Sequence, residues 1–282
     1  MNKDVTIIFV TFHSEKKILK YLKQFKNNFK VIVVENSQNY DLKKLLKKYS
    51  NTTVLVNKKN TGFGSGANLG LKKIKTKYGL HIDLDTTFKN NSIFNLIKKA
   101  NSIKDFTIIG PKIKNFNYKK EHFVKKKIFK NCNQMNFIDG CCLFFNMKEI
   151  KKIGFFDSNF FLYFEETDLF KRCLKYSKKI FMIDNIEIHH EGRSSSNPKL
   201  NLEIELNRNW HYMWSKFYYF KKHYNYLYAL TKIFGHIFSA GLKILFYSLN
   251  GNKKKKLIYI ARFSGCINGI LLNKSWYRPK LN

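Results

Sequence analysis

From residue 5 to about 110 the chain alternates short apolar runs rich in Val and Ile with segments whose apolar positions recur every three or four residues. The first pattern predicts strands at 5–11, 30–35, 53–56, 79–83 and 106–110, and the second predicts helices at 14–27, 41–49, 65–76 and 91–101. Strands separated by helices imply parallel pairing through right-handed crossovers. In such a sheet ligands bind outside the carboxyl ends of the strands. This region reads as a nucleotide-binding half.

Between 111 and 130 the pattern dissolves into Lys, Asn and Phe, which reads as a loop or irregular hairpin. The run Phe137 to Phe145 then predicts a buried strand interrupted at Asp139-Gly140, where a bulge or close ligand approach fits. A short helix at 147–152 stops at Gly154, a natural C-cap. Glu165 to Tyr176 reads as helical because Leu169/Cys173 and Phe170/Leu174 pair four apart. Strands near 179–183 and 186–189 follow, and long helices begin at about 200. No repeat or Pro/Ser/Gly linker divides the chain. A shift to all-helical composition alone separates residues 1–222, an α/β domain with a mixed sheet, from a helical extension at 223–282.

With 282 residues, 44% hydrophobic and 16% aromatic, the chain is large and apolar enough to bury a core. The formal net charge of +34 raises the question of a polyanionic partner. The lysines are spread over the whole length and no nucleic-acid module is present, so no nucleic-acid partner is expected. Five cysteines, an odd number with no Cys-x-x-Cys pair, fit a reduced cytoplasmic chain. The N-terminus opens directly on a strand without the charged and apolar regions of a secretion signal.

Five clusters carry chemistry. Asp83-Leu84-Asp85 follows the apolar run Tyr78 to Ile82, and two carboxylates at a strand's carboxyl edge can share a divalent cation with a diphosphate; a solvated turn is the plainer alternative. Glu35 ends the second strand, where it can accept hydrogen bonds from a base or ribose or stand as a solvated charge. The glycine-rich stretch Asn60 to Gly70 opens a helix and lacks the Gly-Lys-Ser/Thr ending of a P-loop; it suits approach to a phosphate or sugar, or close helix packing. Glu165, Glu166 and Asp168 lie in the first turn of a helix, where they complement its dipole or supply a general base. The pair His189-His190 ends the last strand, and a neutral imidazole there could complete the coordination of a cation held by Asp85.

Taken together, the ordered blocks Val10-Thr11-Phe12-His13-Ser14, Val33 to Ser37, Asn60 to Gly70, Asp83-Leu84-Asp85, Phe137 to Gly140, Glu165 to Asp168 and His189-x-x-Gly192-x-Ser194 resemble family 2 inverting glycosyltransferases of the GT-A fold. Within that family they resemble the rhamnosyltransferase-like branch that builds bacterial surface polysaccharides. The resemblance covers roughly residues 5–222. It implies Mg2+ or Mn2+ held by Asp85, Asp83 and His189, and nucleotide-sugar contacts from Thr11, His13, Glu35, Asn60, Gly62, Asn68, Asp83 and Asp139. It implies catalysis by the acids Glu165, Glu166 and Asp168, with Glu166 as the base. The chain departs from the usual pattern where His13 replaces Asn, Glu35 replaces Asp, Asp83-Leu84 replaces Asn-Pro, and Glu166, one methylene longer, replaces the second acid of a Glu-Asp pair. The implied donor is a dTDP- or UDP-sugar, and the acceptor a glycan or lipid-linked chain.

In Tyr226 to Leu249 the polar residues Lys232, His236, Ser239 and Lys243 recur at spacings of four, three and four on an otherwise apolar helix, and Lys253 to Lys256 follow. This predicts either a peripheral contact with an anionic membrane surface, on the inner face of the cell membrane, or a helix packed on the catalytic domain or a homodimer partner. An inactive relative serving as an assembly partner is the alternative function class, against which the retained acids and histidine count.

Overall fold

A computed structural model describes residues 2–25, 27–89, 91–192 and 201–279. Two compact units are resolved. The first takes in the described residues of 1–61, 65–156 and 169–196, the second those of 62–64, 157–168 and 197–282.

The first unit is built on one mixed sheet. Its strands are β1 (Val5–Thr11), β2 (Lys30–Glu35), β3 (Thr52–Val56), β4 (Tyr78–Ile82), β5 (Thr86–Phe88), β6 (Ile108–Ile113), β7 (Phe123–Phe129), β8 (Cys132–Met135), β9 (Cys142–Asn146) and β10 (Ile180–His190). Their order is β3-β2-β1-β4-β9-β6-β10-β8-β7, with β5 paired to the end of β10. Strands β1 to β4 are parallel, as their intervening helices require, and the register sets Thr11 opposite Glu35. Helix α1 (Glu15–Phe25) buries Ile18, Tyr21, Leu22 and Phe25 in a core shared with Val5, Ile7, Phe9, Val31 and Val33. The other residues of β1 and β2 face α3 (Phe63–Leu71). There a side chain on Gly70 would come within 2.9 Å of Ile8 and 3.2 Å of Val34, so glycine permits the helix to lie directly on the sheet. Helices α2 (Tyr40–Leu46) and α4 (Ser92–Asn101) complete the crossovers.

Two features differ from the sequence reading, and a third agrees with it. Strand β9 lies between β4 and β6 and is antiparallel to both, so those two parallel strands are not neighbours. Its residues Cys142, Leu143, Phe144 and Phe145 are fully buried, and a run with both faces covered carries no signal of which strands it will separate. The two strands expected at 179–183 and 186–189 are one, β10, with a register shift between Ile183 and Glu187. The irregular hairpin expected at 111–130 opens there with β7 and closes just beyond it with β8, its register shifted in two places. Helix α5 (Met147–Ile153) ends at Gly154. The five cysteines are buried and none is in a disulfide.

Helix α6 (Glu165–Lys175) begins in the second unit. That unit otherwise consists of α7 (Asn201–His223), α8 (Tyr226–Leu249) and α9 (Lys253–Ile270). Met213 and Phe217 of α7 pack with Ala229 and Ile233 of α8 and Cys266 of α9. Trp210 and Trp214 pack with Ala261 in a second cluster. Gly265 lets α9 approach the α7 backbone, since a side chain there would meet the Trp210 carbonyl at 2.3 Å.

Candidate active site

At the carboxyl end of β4 the chain turns, and Leu84 inserts into the core between the two carboxylates. The turn is fixed by Asp83 N–H donating to the Cys141 carbonyl at 2.8 Å and Thr86 N–H donating to the Asp83 carbonyl at 3.1 Å. Asp85 is buried, and its carbonyl accepts from Glu191 N–H at 3.0 Å. These ties bring the β4 turn to the last residues of β10. There His190 Nε2 lies 3.3 Å from Asp85 Oδ1 and 3.9 Å from Asp83 Oδ2. Its Nδ1 lies 3.5 Å from Asp139 Oδ1. Behind them, buried His81 places Nε2 2.9 Å from Asp83 Oδ1.

The electrostatics follow from this crowding. Asp139, then Asp85, hydrogen-bond the imidazole and push the His190 pKa up to about 10, outweighing its burial. Burial works to raise Asp139, but hydrogen bonds from His190 and Cys141 outweigh it and hold the carboxyl below its ordinary range. Burial, reinforced by Asp139, pushes the Cys141 thiol well up. One ligand atom each from Asp83, Asp85 and His190 lies within 4.8 Å of the others. Two carboxylates with one imidazole form a donor set suited to Mn2+ or Mg2+, so the residues present fit the expected cation.

The histidine nearest the acids is His190, not the expected His189. Ile186 and Ile188 of β10 face the core, so alternation turns His190 towards the carboxylates and leaves His189 exposed, opposite Thr87 of β5. Asp139 joins the cluster although no strand carries it. It caps its own turn by accepting from Cys141 N–H at 2.9 Å. Ser194 lies outside the described residues.

A second group forms at the ends of β1 and β2. Glu35 is fully buried; one carboxylate oxygen accepts from the Thr11 hydroxyl and the other from the backbone and hydroxyl of Ser37. His13 stands beside it at a left-handed φ of 50°, its N–H donating to Ser37 Oγ at 3.3 Å. Asn60 is half-buried. Asn68 directs its whole amide to the backbone of Phe156, donating to the carbonyl at 2.8 Å and accepting from the N–H at 3.0 Å. Gly62 belongs to the second unit, where at φ 84° its α-carbon lies against the Phe161 carbonyl.

The acids that open α6 are held apart in character. Glu165 and Asp168 are buried, and Glu166 is half-exposed. Asp168 Oδ1 is gripped by Lys222 Nζ and by His223 Nε2 at 2.8 Å, both from the end of α7. The turn before the helix puts two consecutive side chains, Tyr163 and Phe164, at φ 67°. Such strain persists where the surroundings fix it. Phe164 packs against Tyr212 and Tyr219 of α7, and Ser215 Oγ donates to the Leu162 carbonyl at 2.9 Å.

Comparison with known proteins accords with this geometry. Residues 6–182 match the profile described as glycosyl transferase family 2. The chain belongs to that family. It is 30% identical over 196 residues to an uncharacterized glycosyltransferase of Acanthamoeba polyphaga mimivirus, an alignment covering 63% of this chain and 74% of the relative. In fold it is similar to the mannosyltransferase PcManGT of Pyrobaculum calidifontis, solved with GDP-Man and Mn2+. That likeness has TM-score 0.57, 11% identity, and covers 96% of this chain and 88% of that one. It is also similar to S. aureus TarS 1–349, with TM-score 0.53, 13% identity, and coverage of 98% and 93%. At these identities the structures share the GT-A fold.

Within this family 2 transferase, sequence reasoning did not single out Cys141, His81, or the Lys222 and His223 partners of Asp168. Cys141 and His81 are buried residues inside apolar runs and carry no pattern of their own. The α7 partners are separated from Asp168 by more than fifty positions of chain.

Proposed function

We propose that this protein transfers a hexose, rhamnose-like or other, from a dTDP- or UDP-sugar to a hydroxyl of a growing, lipid-linked surface polysaccharide, with inversion at the anomeric carbon. The observation that carries this reading is the meeting of Asp83, Asp85, Asp139 and His190 at the carboxyl edge of β4. Asp83, Asp85 and His190 are the residues that would hold a divalent cation. Such a cation supplies charge neutralisation for the departing nucleotide diphosphate.

The chain's own residues carry the remaining roles in this proposal. Thr11 and Glu35 shape the nucleoside end, with Asn36, whose N–H donates to the Thr11 carbonyl at 2.9 Å, closing the β1–β2 edge. Asp139 orients the donor sugar or acceptor. Glu166, the half-exposed member of the α6 acids, takes the acceptor's hydroxyl proton. The acceptor oxygen then forms its bond to the anomeric carbon as the bond to the diphosphate oxygen breaks, and the electron pair leaves with the nucleotide diphosphate. No covalent enzyme intermediate is needed. Asp168, locked by Lys222 and His223, is a positioning residue that fixes the first turn of α6. The proposal places this reaction at the cytoplasmic face of an anionic membrane, where a lipid-linked acceptor is presented.

The test is a panel of dTDP-, UDP- and GDP-sugars offered with Mn2+, followed by thermal protection and by proton NMR of the product anomer. Protection by one dTDP- or UDP-sugar and an inverted product are expected. Protection by none, or a retained anomeric configuration, would overturn the reading.

A further inference from the structure

Helix α8 is inside out. By length and composition it is apolar enough to cross a bilayer, with a mean hydropathy of 1.3 over its best window, yet only 17% of that window is buried. Leu227, Phe234, Phe238, Leu242, Leu245 and Leu249 recur at spacings of seven, four, four, three and four, which puts them on one stripe of the helix. Each is more than half exposed, from 52% at Leu242 to 88% at Leu249.

The polar residues take the opposite face: His236 and Ser239 are half-buried, and Lys232 and Lys243, though exposed, lie over aromatic rings. His236 Nε2 lies 2.7 Å from Lys216 Nζ of α7. Lys232 sits over the rings of Phe220 and Tyr228, and Lys243 over the ring of Tyr259 of α9. The polar stripe therefore runs along the side by which α8 docks on α7 and α9. A helix whose polar stripe lies on the side of its neighbours and whose apolar side is bare is arranged for an apolar surface.

Charge decides what covers that side. From Leu206 to Asn282 the chain contains no Asp or Glu, while Lys and Arg recur throughout, including Lys253 to Lys256 at the start of α9. Lys253, Lys254 and Lys255 are exposed. A second copy docked isologously through α8 would bring like charges together, whereas anionic headgroups complement them.

The neighbours decide the orientation. Helices α7 and α9 pack along α8, so a spanning α8 would carry Arg208, Lys216 and Arg262 towards the hydrocarbon centre, where charge is strongly disfavoured. We propose that α8 lies in the plane of an anionic bilayer, its Leu227–Leu249 stripe entering the acyl boundary and Lys253 to Lys256 contacting the headgroups. The proposal deepens the membrane half of the reading above and rests on it for the source of the acceptor.

The test uses the full chain with phosphatidylcholine vesicles, with and without phosphatidylglycerol. Cosedimentation is expected only with the anionic vesicles. It should fall by at least about tenfold in Phe238→Asp, and by roughly fivefold for each of Lys253 to Lys256 replaced by Gln. Environment-sensitive labels at Leu227→Cys, Phe238→Cys and Leu249→Cys should be quenched equally by shallow spin-labelled lipids. A label at 238 that is quenched only by deep probes, between shallow ends, would mean a spanning helix and overturn the proposal. Absence of vesicle binding, together with a dimer that Phe238→Asp dissociates, would assign the face to a second copy. Mn2+-dependent binding of UDP and dTDP is measured in parallel: absence of both in the wild type would remove the transferase reading and leave the vesicle result standing, and retention of the wild-type binding in Phe238→Asp shows that the variant is folded.

Discussion

Asn68 is the position where a packing role and a donor-binding role make opposite predictions. It lies in the glycine-rich stretch whose resemblance implies nucleotide-sugar contact. In the structure its amide forms two hydrogen bonds, of 2.8 and 3.0 Å, to the backbone of buried Phe156. Asn68→Ala removes both. Each bond to a buried backbone group contributes about 1 kcal/mol net, and the loss rises to roughly 1–3 kcal/mol where water cannot replace the partner. Alanine's better helix propensity returns up to about 0.7 kcal/mol within α3. The balance is a destabilisation of about 2–3 kcal/mol, or a Tm lower by roughly 3–5 °C for a chain of this size. Thermal unfolding followed by circular dichroism measures this, with UDP affinity determined in Mn2+ well below the transition. The packing role predicts the lower Tm with UDP affinity unchanged. A Tm within about 2 °C of wild type, with UDP binding lost, would refute the reasoning and place Asn68 in the donor site.

His190→Ala should weaken Mn2+ binding at least tenfold, on the scale of losses seen at metal-site residues, while His189→Ala leaves it unchanged. Titration calorimetry of both variants checks this. Glu166→Gln should retain donor binding and lose roughly 10²–10⁴ in turnover, with Glu165→Gln less affected in chemistry, as single-turnover transfer would show. Asp168→Ala leaves Lys222 and His223 without the buried carboxylate they share, a loss of roughly 3 kcal/mol that urea unfolding would report. Gly70→Val should destabilise by about 1–3 kcal/mol through contact with Ile8 and Val34, measurable in the same unfolding assay.

The parallel half of the fold was legible because each strand is a short apolar run bounded by helix-period segments, and β1 to β4 follow the order of those runs. The insertion of β9 was not legible, because pairing order depends on which edge the returning chain meets and periodicity carries only the faces of an element. The three-residue strand β5 is too short to show a period. At the site, Asp83 and Asp85 were legible from their place at a strand's carboxyl edge, and Asp139 from the resemblance together with the interruption at Asp139-Gly140. His190 was within reach of the same logic: counting alternation back from buried Ile186 and Ile188 selects the even positions. What pointed to His189 was the resemblance, whose His-x-x-Gly-x-Ser spacing starts one residue before the histidine that faces the acids. The packing roles of Asn68 and Asp168 rest on partners 88 and 55 positions away, which no local pattern encodes.

The central claim is that Asp83, Asp85 and His190 form a divalent-cation site that serves nucleotide-diphosphate binding. Its most direct test is calorimetric titration of UDP and dTDP into wild type and Asp85→Asn, each with saturating Mn2+ and with chelator. Tight binding by the wild type only in Mn2+, and none by the folded Asp85→Asn variant in either condition, is the predicted result. Equal nucleotide affinity with and without Mn2+, or unimpaired Mn2+-dependent binding by Asp85→Asn, would contradict it.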